Sequence, residues 1–96
     1  MSDAPELRVV WTSQFKRDYK LAQRRHFDIE ELKRIVRLIA RREALPECNR
    51  DHALHSNWEG FRECHIAPDW LLVYQVVAET LVLSLARTGT HSDLDF

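Results

Sequence analysis

The chain has 96 residues, 45% of them hydrophobic and 30% charged, with 2 Gly, 3 Pro and a net charge of −1. That is enough for one hydrophobic core and too little for two, and it excludes a disordered or fibrous chain. No apolar run approaches the roughly 18 residues a membrane span needs, and the start Met-Ser-Asp-Ala-Pro-Glu is polar and acidic, so a cytoplasmic protein without a signal peptide or membrane contact is expected.

Residues 1–7 read as a flexible lead-in to one domain that fills the rest of the chain. Arg8-Val-Val-Trp-Thr12 is a short β-rich run, and Ser13 suits the N-cap of a helix from Gln14 to about Arg25, along which Phe15, Tyr19 and Ala22 recur at helical spacing. A second helix is better marked. Asp28 with Glu31 makes a capping box, and Ile29, Leu32, Ile35, Val36 and Ile39 form one stripe that Pro46 closes. The short His26-Phe27 link predicts that the two helices pack as an antiparallel pair. Residues 44–59 have no convincing period and read as a loop containing Asp51-His52-Ala53-Leu54.

Three strand candidates follow: 61–66, 70–76 and 81–87, joined by Ala67-Pro68-Asp69 and by a turn near Ala78-Glu79. Links this short favour an antiparallel meander. The outline is β-α-α-β-β-β, an α+β domain with two helices on one face of a small antiparallel sheet.

Charge is unevenly spread: residues 1–50 carry 12 Lys and Arg against 8 Asp and Glu, residues 51–96 carry 2 against 7. A basic helical half suits phosphate or an acidic peptide, and an Arg-rich solvated helix face is the bland alternative. The two cysteines, Cys48 and Cys64, make no disulfide framework.

In a strand, alternate side chains share a face, so Glu63 and His65 lie opposite Arg62, Cys64 and Ile66. Asp69 arrives at the turn after His65, the His52 loop leads into the same strand, and His91 follows the last one. Three imidazoles and a carboxylate then converge on one rim of the sheet. Imidazole gives and takes protons near neutrality. RNA cleavage by 2′-hydroxyl attack needs a base, an acid and positive charge for the phosphate. Arg62 and Arg87 are candidates for the charge, and Trp70 or Phe96 for stacking on a base. A solvated loop reading suits His26 and His55 better, Trp70 is commonly core, and Arg87 could pair with Glu63. A zinc site from Cys48, His52, Cys64 and His65 is disfavoured, since neighbours on a strand point to opposite faces and no Cys-x-x-Cys is present. No nucleophile elbow supports a Ser-His-Asp triad.

The segments Asp18-Tyr-Lys-Leu-Ala-Gln-Arg-Arg-His26, Arg50-Asp-His-Ala-Leu54, Asn57-Trp-Glu-Gly-Phe-Arg-Glu-Cys-His-Ile-Ala-Pro-Asp-Trp70 and Arg87-Thr-Gly-Thr-His91 resemble the YafQ-type toxins of the RelE/ParE superfamily, from bacterial type II toxin–antitoxin modules. The resemblance runs from about residue 8 to the end. It implies the RelE-like fold and a ribosome-dependent mRNA endonuclease, free of metal and cofactor. It also implies inhibition by a cognate antitoxin of DinJ or RelB type bearing a ribbon-helix-helix, through which alone operator DNA would be bound. The family's active-site positions fall on His52, His65, Asp69 and His91, with Trp70 beside them and Glu63 where an acidic residue is frequent. His91 then becomes the general acid, with His52 or Asp69 as base and His65 orienting or sharing the proton. The family's His-x-x-Leu-Phe ending is one residue longer here, His91-Ser-Asp-Leu-Asp-Phe96, so Phe96 or Asp95 takes the aromatic's place. Two other readings share the fold: a ParE-like gyrase poison, which lacks the histidine cluster, and a co-repressor of its own operon. The antitoxin is expected over the His52–His65–His91 rim or along the basic helices.

Overall fold

The structure, a computed structural model, describes residues 5–94. Its elements in order are β1 (Arg8–Trp11), α1 (Ser13–Arg24), α2 (Ile29–Ala40), β2 (His52–Ala53), β3 (Arg62–Ala67), β4 (Trp70–Val77), β5 (Val82–Gly89) and α3 (His91–Leu94), with single 3₁₀ turns at Glu47–Asn49, Ser56–Trp58 and Ala78–Thr80. Two main helices and a five-stranded sheet make the expected α+β domain.

Local chemistry explains the helices. Thr12, one residue before the expected cap, holds extended backbone while its hydroxyl accepts from the Phe15 N–H at 3.0 Å. Asp28 caps α2, accepting from the Glu31 N–H at 3.2 Å. Leu32, Ile35 and Ile39 are buried along the expected stripe, where each fully buried side chain stabilises the fold by about 1.5–3 kcal/mol.

The sheet order is β1-β5-β4-β3-β2. β3, β4 and β5 form the antiparallel meander, with β2 antiparallel to β3, while β1 runs parallel to β5. The sheet is therefore mixed where an antiparallel one was expected. Both helices and three strands separate β1 from β5 along the chain, so no hairpin constrains the pair and it can run parallel. Leu7, expected in a flexible lead-in, is buried and donates its N–H to the Ala40 carbonyl at 2.8 Å, tying the start of β1 to the end of α2.

β4 reads as an almost unbroken apolar run because both of its faces are covered. Leu72 and Tyr74 join Phe15, Ile35, Cys64, Leu83 and Leu85 beneath the helices. Leu71 and Val73 join Ala86 and Leu94 on the other face, with Leu54, Trp58 and Phe61 packed around them. The helix-covered face holds the main core, and the second face carries only this small cluster. It is the open ground on which polar side chains can gather.

Candidate active site

β2 is only two residues long, but it sets the first histidine. His52 pairs with Glu63 of β3. Just before it, Arg50 adopts the left-handed conformation (φ 48°, ψ 46°), which turns its carbonyl toward the His52 ring. His52 Nδ1 lies 2.7 Å from that carbonyl oxygen. A carbonyl only accepts, so Nδ1 carries a hydrogen and Nε2 is left to exchange protons. Nε2 lies 3.4 Å from Glu63 Oε1. Glu63 is buried, which makes it the nearly dry member of a carboxylate–imidazole pair whose histidine is half exposed.

Two residues along β3 on the same face is His65. Its carbonyl accepts from Asn49 Nδ2 at 2.7 Å, and Asn49 is itself buried. The 3₁₀ turn that leads to His52 is thereby fixed to β3. The His65 ring sits 5.6 Å, centroid to centroid, from that of His91. His91 opens α3, directly after β5, and meets Asp69 in the β3–β4 turn. Asp69 Oδ1 accepts from the His91 N–H at 3.0 Å and lies 2.5 Å from its Nδ1. These hydrogen bonds from backbone and ring hold the Asp69 carboxyl below its ordinary range. The anion fixes the hydrogen on Nδ1, and Nε2 of His91 is again the working nitrogen.

His52, Glu63 and His91 line one cleft of about 690 Å³, floored by Leu71 and Leu94. His55, Asn57 and Trp58 complete its far wall, so the histidine expected to be merely solvated borders the site. Trp58, edge-on to Phe61 at 5.1 Å, is the tryptophan that borders the cleft, in place of Trp70. The Asn57-Trp58 pair within an aperiodic loop was the available signal. Trp70 is instead buried on the helix side, 5.0 Å from the Phe27 ring.

The other expected site residues lie elsewhere. Strand alternation puts Arg62 behind the sheet, where its Nε is 3.3 Å from Asp51 Oδ1 and Tyr74 donates its hydroxyl to the same oxygen at 2.5 Å. Arg87 follows a bulge in the β4–β5 ladder and turns to α1, its Nε 2.8 Å from Asp18 Oδ2 rather than beside Glu63. The Thr88 N–H donates to the same carboxylate at 3.1 Å. Asp95 and Phe96 lie outside the described residues. Among those described, no group of three His, Cys, Asp or Glu side chains is arranged to hold a metal ion. Cys64 is buried and Cys48 exposed, and both are free thiols.

Known proteins resemble this chain in sequence and fold. Residues 7–95 match the family model described as a bacterial toxin of a type II toxin–antitoxin system, YafQ. The mRNA interferase toxin YafQ of Escherichia coli strain B/BL21-DE3 is 40% identical over 87 residues, covering 90% of this chain and 92% of the relative. The crystal structure of the E. coli DinJ–YafQ toxin–antitoxin complex superposes with a TM-score of 0.83 at 37% identity, over 93% of this chain and 97% of that one. A metal-bound toxin from Helicobacter pylori gives 0.87 at 36% identity, over 92% and 98%.

Proposed function

Because this chain belongs to the YafQ family of bacterial type II toxins, we propose that it is an endoribonuclease that cuts messenger RNA on the ribosome by acid–base chemistry between His52 and His91. The observation that carries the reading is that His52 and His91, each paired with a carboxylate, line a single cleft.

In the proposed reaction, Nε2 of His52 takes the proton of the ribose 2′-hydroxyl as its oxygen bonds to phosphorus. Glu63 steadies the imidazolium so formed. The bond from phosphorus to the 5′-oxygen breaks, and His91 delivers its Nε2 proton to that oxygen. The products are a 2′,3′-cyclic phosphate and a free 5′-hydroxyl, with no metal consumed or required. Engagement of Asp69 with His91 favours His52 over Asp69 as the base. With Arg62 behind the sheet and Arg87 held by Asp18, the phosphate is left to the imidazoles, His91 first and His65 beside it. Ribosomal positioning supplies what a shallow open cleft lacks in orienting power.

The expected partner is an antitoxin related to DinJ, with which an E. coli relative forms its complex. No helix among the described residues is long and apolar enough to cross a membrane, and action on translating ribosomes would place the protein in the cytoplasm. The histidine cluster disfavours a gyrase-poisoning reading.

The test is cleavage of a defined message on purified ribosomes, with and without a chelator. Wild type should cut equally well in both, leaving cyclic phosphate ends. His91→Ala should lose about a hundredfold or more, the usual contribution of a general acid. Retained cleavage by that variant, or cleavage abolished by the chelator, overturns the mechanism.

A further inference from the structure

A four-residue helix cannot hold itself together, because the cost of nucleating one turn is not repaid over so short a run. α3 nevertheless carries His91. Its own contacts show how it is fixed. Thr90 and Asp93 form a reciprocal capping box: the Thr90 N–H donates to Asp93 Oδ2 at 2.9 Å, and the Asp93 N–H donates to Thr90 Oγ1 at 3.2 Å. Both Asp93 oxygens then meet Arg25 at the end of α1, Nη1 to Oδ2 at 2.6 Å and Nη2 to Oδ1 at 3.2 Å. Gly89 completes the seat. A Cβ there would lie 2.9 Å from Asp93 Cβ, so the turn closes only over a bare backbone.

We propose that Arg25 and Asp93 are positioning residues for the general acid, a two-pronged clamp across 68 residues of sequence that aims His91 at the cleft. The inference rests on the functional reading of His91 given above, and the clamp itself is a matter of geometry. Among the described residues, the hydrogen bond to the His91 ring comes from Asp69, two-thirds exposed and placed in a turn. An exposed pair of this kind contributes little by itself. If α3 were free to roll, the His91 ring would turn away from Asp69 and Nε2 would lose its direction. Leu94 anchors the far end of the turn in the second core, but a single apolar contact at the last residue leaves rotation about it open. Arg25 removes that freedom because its planar fork engages the carboxylate in two parallel bonds. The Arg25 guanidinium and the Thr90 N–H hold the Asp93 carboxyl down to about 2, so the clamp stays charged across the physiological range.

The geometry predicts a graded series. Asp93→Asn keeps an acceptor for the Thr90 N–H and loses the ion pair. Asp93→Ala loses both, and Arg25→Ala should match Asp93→Asn. Arg25→Lys, which keeps the charge but loses the fork, should restore only part of the activity lost in Arg25→Ala. Measured by single-turnover cleavage on ribosomes, Asp93→Ala should slow the chemical step by about tenfold or more while KM stays within about twofold, as for a misaimed catalytic group. The midpoint of thermal unfolding should move by less than about 5 °C. The second readout is made on the isolated full-length toxin by NMR, through the cross-relaxation between the His65 and His91 rings. It should be clear in the wild type and weakened in Asp93→Ala and Arg25→Ala. Ring contacts and chemical step both unchanged in these variants overturn the proposal, as does a loss confined to KM or one that follows unfolding. If the wild type cuts no message, the functional reading fails instead, and the ring contacts alone then decide whether the clamp exists.

Discussion

Asp69 grips His91 twice with one oxygen, at 3.0 Å from its backbone nitrogen and 2.5 Å from Nδ1 of its ring. The backbone bond and the ring bond together orient the imidazole, so one carboxylate selects which nitrogen the acid uses. Asp69→Asn keeps an acceptor in place and removes the charge that favours the imidazolium. Cleavage should fall by about tenfold, the effect of one charged hydrogen bond reduced to a neutral one. Because Asp69 is exposed, thermal unfolding should be almost unchanged. Parallel ribosome cleavage and melting curves check both halves.

Glu63 faces His52 from the dry side of the pair. At 3.4 Å the two form an ion pair, and with the imidazole half exposed such a pair contributes up to about 1 kcal/mol. Glu63→Gln should therefore slow the chemical step by up to roughly fivefold with KM little changed. Single-turnover kinetics at saturating ribosome concentration measure it, and a variant as fast as the wild type would remove Glu63 from the base.

Asp93 also sets an acid limit on stability. Its folded value of about 2 lies below the roughly 3.9 of an unfolded aspartate, so the stability it contributes is fully present above about pH 4. That contribution is lost as pH falls toward 2. Asp93→Asn never has it. Melting temperatures of the two proteins should differ by a few degrees at neutral pH and converge between about pH 4 and 2. A gap independent of pH would mean that the variant acts through something other than charge.

The two thiols should separate cleanly. Burial pushes the Cys64 thiol up to about 12, which keeps it protonated and shielded beneath the helices. Cys48 is exposed. Alkylation of the folded protein at neutral pH should add one label, at Cys48, and a second only after denaturation. Peptide mass spectrometry reads the sites directly.

Much of this architecture was legible from local pattern. Asp28 with Glu31 marked the start of α2, and its stripe marked the buried side. Strand alternation separated Glu63 and His65 from Cys64 and Ile66, and it also implied that Arg62 turns away from the histidines. Trp70 and Trp58 show where such reasoning stopped. Both are tryptophans near the proposed chemistry, and no local signal tells which one is buried. Trp70 begins a strand on the helix-covered face, whereas Trp58 sits in a 3₁₀ turn over the thinner second core.

The sequence alone determined the two main helices, the three meander strands, their order and the supply of proton-transferring groups, since periodicity, caps and turns act over a few residues; β2 and α3 lie in stretches that read as loop and tail. The tertiary structure alone decided the parallel pairing of β1 with β5, the capture of Arg87 by Asp18, and the meetings of Asp69 with His91 and Arg25 with Asp93. Those contacts join residues 22 to 74 positions apart. They depend on which strand lies beside which and on where the ladder bulges, and such choices are made by the whole core at once rather than by any short stretch of chain.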